Sequence, residues 1–207
     1  RTQAEAAARP PISFANARHL PLRYWLVVLL GAILTLARFS EAFLILRAQD
    51  VGLKLGYVPL VMVVMNIFYA GAAYPAGACA DHMSQRRLLF LGLAFLIAAD
   101  LVLAFAPSAL LVFAGAGLWG MHMALTQGLL SKLVADTAPR ELLGTGFGIF
   151  HLVTACALLS ASVIAGWLWS SVGAMATFLA GAVFATVAGI GLLAAAGRER
   201  SNQRLLD

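Results

Sequence analysis

Apolar and polar positions alternate along this chain in long blocks. Six apolar segments run from about Tyr24 to Leu46, Leu55 to Ala80, Leu88 to Ala106, Ser108 to Val134, Leu143 to Trp169 and Ala174 to Ala196. A helix needs about 20 residues to cross the hydrocarbon core of a bilayer. A barrel strand would be about ten residues long with alternating polarity. Backbone groups in lipid must be hydrogen-bonded within their own segment or around a closed barrel. Runs of this length therefore predict an all-α, polytopic membrane bundle of six transmembrane helices over residues 24–197, between polar segments 1–23 and 198–207. The punctuation agrees. Pro107 and Ser108 part the third segment from the fourth, and Ser170, Ser171 and Gly173 part the fifth from the sixth. Asp136, Thr137 and Pro139 stand where a capping side chain and an early proline would start the fifth helix.

Composition narrows the class. Of 207 residues, 62% are hydrophobic and 11% charged, whereas a soluble domain averages about half apolar and a quarter charged. Too little polar surface remains to cover a water-soluble globule, and disordered or collagen-like chains are excluded. The net charge of +5 does not signal nucleic acid, because most basic residues stand at the ends of apolar runs. The N-terminal tail, the 81–87 and 132–142 loops and the C-terminal tail carry eleven of the 14 Lys+Arg, and the opposite side receives Arg47 and Lys54. The positive-inside bias places both termini in the cytosol, which requires an even number of helices. Residues 1–23, with Arg1, Arg9, Arg18, Arg23 and their prolines, read as a cytosolic tail or interdomain linker and not as a cleaved signal. Cys79 and Cys156 lie in apolar stretches, so neither a disulfide framework nor a zinc site is expected.

Polar groups inside the apolar runs are the candidates for function, since each needs a partner, a cavity or a route to the interface. Arg38 and Glu41 stand three apart on the first helix. They read either as a charged patch lining a central cavity or as a self-neutralising structural pair. Arg47 reads as an interface anchor. Asn66 is a cavity residue or interhelical glue, and Asp100 a structural or snorkelled group near the outer interface. His122, with Thr126 and Gln127 nearby, and His151 fall at similar depth on the fourth and fifth helices. Should those helices adjoin, the histidines share a cavity and suit proton coupling; otherwise they are hydrogen-bonded interface residues. Gly144 and Gly148, Ser162 and Gly166, and Ala185 and Gly189 have the small-residue spacing that lets helices approach closely in lipid. No G-x-S-x-G, H-E-x-x-H or phosphate-loop motif occurs, so no enzyme, cofactor or metal site is expected.

The second helix ends in Gly77-Ala78-Cys79-Ala80-Asp81-His82-Met83-Ser84-Gln85-Arg86-Arg87. Gly77 permits close helix approach, Asp81 can accept hydrogen bonds from a helix N-terminus, and Arg86 and Arg87 hold the loop at the cytosolic face. This stretch resembles the signature loop of the major facilitator superfamily, G-x-x-x-D-R-x-G-R-R/K, with His82, Ser84 and Gln85 departing from it. Ala135 to Gly148 is similar to the family's run of proline, acidic residue and Gly-Thr-x-x-Gly. The resemblance covers about residues 20–197 and implies the C-terminal six-helix half of a twelve-helix transporter. It further implies an N-terminal six-helix half as partner and a cavity lined by helices one, two, four and five. The implied activity is secondary active transport of a small solute by alternating access, coupled to an ion such as the proton; the apolar, Met-containing segments suggest efflux of small amphipathic compounds. The implied location is a bacterial cytoplasmic (inner) membrane. Arg38, Glu41, Asn66, His122, Gln127 and His151 are then cavity or coupling candidates, and Gly77, Asp81, Arg86 and Arg87 a conformational latch. The alternative is a non-transporting six-helix membrane scaffold or a truncated half-transporter.

Overall fold

The computed structural model describes residues 14–204, with side chains for 17–79 and 83–193. After a 3-10 turn at Phe14–His19 come α1 (Leu22–Leu36), α2 (Ala42–Asp50), α3 (Pro59–His82), α4 (Gln85–Ala104), α5 (Ala109–Thr137), α6 (Leu143–Ser171) and α7 (Ala174–Arg204). Every regular element among the described residues is helical. Five helices, α3 to α7, contain stretches long and apolar enough to cross a membrane. Five of the predicted segments thus appear as single helices.

The first apolar segment does not form one helix. It is split into α1, of 15 residues, and α2, of 9. At 1.5 Å per residue they reach about 22 Å and 13 Å, so neither alone crosses a core of about 30 Å. No proline or glycine marks the break. Its causes are side chains that compete for the backbone. Thr35 Oγ1 donates to the Gly31 carbonyl at 2.7 Å, and Ser40 Oγ accepts the Ala42 amide at 3.3 Å; such local bonds bend or interrupt helices. The Ser40 amide donates to Ser162 Oγ of α6 at 3.1 Å, so a group released from the helical ladder is satisfied by a neighbouring helix.

Helix α5 is the centre of the bundle. It packs against α3 and α4, α4 packs in turn on α7, and α1 on α6. Within its apolar window 61% of α5 is buried, against 17% for the α3 window and 22% for α6. The close crossings use small residues. Gly120 of α5 lies directly against the Met65 carbonyl of α3, and a Cβ on Gly115 would fall 2.6 Å from the Leu103 side chain of α4. On Gly92 a Cβ would fall 2.5 Å from Thr126. The pairs expected from spacing do less. A Cβ on Gly144, Gly148 or Gly77 would meet nothing within 4 Å among the described residues, and one on Gly166 or Gly189 would make ordinary contact with Phe43 or Leu93.

Two boundaries shift. Helix α5 continues to Thr137, whose hydroxyl donates to the Leu133 carbonyl at 2.7 Å. Asp136 and Thr137 therefore close α5 and do not cap α6, which starts after a 3-10 turn at Arg140–Leu142. Helix α7 runs on to Arg204, into the predicted tail. Gly173, with φ of 111°, makes the turn between α6 and α7, as its place between the segments suggested. Tyr24 ties α1 to α6 by donating to the Gly146 carbonyl at 2.7 Å.

Candidate functional site

The break at Ala37–Glu41 puts five residues of non-helical backbone in the middle of the first apolar segment. Non-helical chain at that depth is tolerated where it is covered by protein or faces a water-filled cavity. The first condition is met here. Phe39 is buried, with its ring 5.4 Å from Trp119 of α5, 5.4 Å from Phe178 of α7 and 5.1 Å from Phe43. Arg38 and Glu41 on either side are only partly buried. Because both lie within the break, they do not share one helical face as their spacing implied. Phe39 anchors the break in the core, and the two charges are held beside it.

Across from the break, Tyr69 of α3 donates its hydroxyl to Gln127 Oε1 of α5 at 3.4 Å. The Arg38 guanidinium is near enough to Glu41, Tyr69 and His122 to interact with each through its charge. Arg38, Glu41, Tyr69 and Gln127 thus form one polar cluster built from the break, α3 and α5. It combines a cation, a carboxylate, a phenol and an amide in otherwise apolar surroundings. Such a set can bind an ionisable or hydrogen-bonding solute and change its own pairing when that solute arrives.

Of the other candidates, His122 is linked to this cluster only through the charge of Arg38, and the rest fall elsewhere. His122 is 3% exposed and faces α4, where its Nδ1 donates to the Gly92 carbonyl at 2.8 Å. A carbonyl only accepts, so Nδ1 carries the hydrogen. Thr126 Oγ1 donates back to the His122 carbonyl at 2.9 Å. His151 is exposed on α6, its ring 6.1 Å from Phe147 and 5.5 Å from Phe150 of the same helix. The two histidines therefore do not share a contact, because one points into α4 and the other lies on an exposed face. Asn66 is exposed, and its amide donates to the Met62 carbonyl one turn back at 2.7 Å; it bonds its own helix and not the cluster.

At the end of α3, Gly77 is exposed. The Asp81 side chain lies outside the described residues. Arg86 and Arg87 are exposed in the first turn of α4. Among the described residues no group of three or more His, Cys, Asp or Glu side chains is placed to hold a metal ion.

Sequence reasoning missed several polar roles. Arg47 is no loose anchor: its Nε donates to the Leu103 carbonyl and its Nη2 to the Ala106 carbonyl, both at 2.9 Å, and it pairs with Asp50. It caps the C-terminal end of α4, where unpaired carbonyls and the helix dipole favour a cation. Asp100 does not snorkel. It is fully buried against Gly181 of α7, and among the described residues neither carboxylate oxygen has a hydrogen-bond partner; the same holds for Trp119 Nε1. Tyr69 carried no signal, because a tyrosine in an apolar run reads as packing. Ser40 and Ser162 are 122 residues apart, and no local pattern links them.

A family model described as Major Facilitator Superfamily matches residues 26–206. The chain belongs to the Major Facilitator Superfamily. It is 35% identical over 187 residues to an uncharacterized MFS-type transporter of Methanocaldococcus jannaschii, covering 85% of this chain and 46% of that protein. It is 31% identical over 123 residues to the MFS-type transporter ppzB of Metarhizium rileyi, covering 58% of this chain and 26% of the relative. The chain thus spans less than half the length of these curated relatives. Membership makes it a multi-pass membrane protein of a transporter family. Within that frame, the two stretches that carried the resemblance fall at the α3–α4 junction and at the α5–α6 junction.

Proposed function

We propose that this chain is the C-terminal half of a secondary active transporter of the Major Facilitator Superfamily, working by alternating access on a small solute. The carrying observation is the broken first span, with Arg38 and Glu41 beside the break and the Tyr69–Gln127 pair opposite. Discontinuous helices near the bilayer midplane are where transporters place substrate and coupling-ion sites. In this reading α1 and α2 together make one span, giving six with both termini cytosolic, and an N-terminal six-helix half closes the other side of the cavity. Arg38, Glu41 and Gln127 are the first-choice binding residues, with Tyr69 added to them. Asn66 and His151, exposed on α3 and α6, would meet the solute from the wall of the same cavity. His122 would fix α5 against α4. Gly77, Asp81, Arg86 and Arg87 would latch the cytosolic side. The Arg38–Glu41 pair is the natural place for coupling to an ion, with the proton as the candidate and efflux as the direction across a bacterial cytoplasmic membrane.

The test is solute flux in proteoliposomes holding the intact protein with both halves. Arg38→Gln should insert and fold normally but lower flux by about tenfold or more, the scale of one lost charge-assisted hydrogen bond. Dissipating the proton gradient should stop uphill transport. Unchanged flux in Arg38→Gln would remove the site from this reading. Normal transport in Asp81→Asn would remove the latch.

A further inference from the structure

Arg38 and Glu41 carry opposite charges within one short break, yet they do not pair. No Arg38 nitrogen comes within 4.0 Å of the Glu41 carboxylate. Among the described residues neither side chain makes a hydrogen bond, and Arg38 meets its neighbours only through its charge. Those neighbours have their own protons committed. The Tyr69 hydroxyl donates to Gln127, and His122 Nδ1 donates to the Gly92 carbonyl. Each charge is only partly buried and so keeps a face open. The chain between the two is pinned. The Phe39 ring is packed among Trp119, Phe178 and Phe43, and the Ser40 amide is held by Ser162 of α6. Arg38 and Glu41 are therefore kept apart by the fold, at a depth where an uncompensated charge is costly.

We propose that the solute is a zwitterion of the amino-acid type, with its carboxylate at Arg38 and its protonated amine at Glu41. This deepens the transport reading of the cluster and rests on it. The argument is charge balance. An organic anion would pair with Arg38 and bring a second negative charge beside Glu41. An organic cation would do the reverse. Either leaves one charge uncompensated next to a like charge, which surroundings of low dielectric penalise. A neutral solute compensates neither. A zwitterion compensates both and adds no net charge to the span. Bond geometry supports the same orientation. The guanidinium fork takes a carboxylate through two parallel hydrogen bonds, and a carboxylate accepts readily from an ammonium. Because Phe39 and Ser40 fix the backbone, little ordering is left to be done on binding. The apolar surroundings suit an apolar or aromatic remainder.

The experiment is equilibrium binding to the full-length protein in detergent. The probes are leucine and phenylalanine, with phenylpropanoate, which lacks the amine, and phenylethylamine, which lacks the carboxylate. Phenylalanine should bind about tenfold or more tighter than either one-charge analogue, the scale of one charge-assisted hydrogen bond. Glu41→Gln should bring phenylalanine down to the level of phenylpropanoate, and Arg38→Gln down to that of phenylethylamine. Arg38→Glu combined with Glu41→Arg should recover part of the preference for the zwitterion. The probe comparison on the unaltered protein needs no variant to fold. Equal or tighter binding of a one-charge analogue would overturn the proposal, as would no saturable binding of leucine or phenylalanine. An analogue that binds alone and is lost in Arg38→Gln would sink the zwitterion and leave the transport site at Arg38 standing. Normal flux in Arg38→Gln would sink both.

Discussion

At the scale of single residues, the bundle is most sensitive where a glycine lets a helix approach closely. A Cβ on Gly181 would fall 2.7 Å from Asp100 Oδ2 and 2.9 Å from the Phe39 ring. Gly181→Val should therefore lower stability by about 1–3 kcal/mol, the usual effect of overpacking, and should do so by disturbing the break through Phe39. Thermal unfolding in detergent measures the first effect; loss of flux beyond the stability loss measures the second. Gly120 is stricter, because its neighbour is the Met65 main chain, which cannot rotate away. Gly120→Leu should prevent α3 from seating on α5, read as failure to yield a monodisperse protein. Gly144→Ala, with open space around it among the described residues, should be neutral in this chain taken alone. A charge that interrupts an apolar run marks itself as a candidate in the sequence, which is why Arg38 and Glu41 stood out. The pairing was illegible where the partner is a main-chain group of a distant helix, as for Arg47 and His122.

At the scale of elements, the five long helices were readable because an unbroken apolar block has one cheap solution in lipid. The break in the first was not readable. Hydropathy is blind to it, since Ala37 and Phe39 keep the run apolar, and the bond that rewards the break comes from Ser162 on α6. That bond gives a direct prediction. Ser162→Ala removes the acceptor of the Ser40 amide and should cost about 1 kcal/mol. It should also speed hydrogen exchange at the amides around 37–41 while leaving α5 protected. Unchanged exchange there would show that the break does not depend on α6. Arg47→Ala uncaps α4 and should lower stability by about 1–3 kcal/mol, since charged hydrogen bonds to the carbonyls at the end of that helix are lost; Arg47→Lys should restore part of it.

At the scale of the whole molecule, burial is uneven in a way that matters for assembly. The α5 helix is wrapped by neighbours, whereas α3 and α6 present Ile67, Tyr74, Leu159 and Trp167 outward. The chain covers less than half of its relatives' length, and on the proposed reading those faces would seat the other half. A double change such as Leu159→Trp with Val163→Trp should weaken co-purification of separately expressed halves and leave the fold of this one intact. Membership of the superfamily was legible because two of its motifs stand at the α3–α4 and α5–α6 junctions. An apolar groove between α1, α4, α6 and α7 was not, since its lining residues look like ordinary apolar filler in any one helix.

The Arg47 clamp also sets an order of events during synthesis. Its acceptors, the carbonyls of Leu103 and Ala106, follow it by 56 and 59 residues. At a translation rate of about 5–20 residues per second, α2 is made several seconds before the chain that fastens it. Over that interval the guanidinium has Asp50 within reach, and the end of α2 waits, half-anchored, for the hairpin of α3 and α4 to arrive beside it.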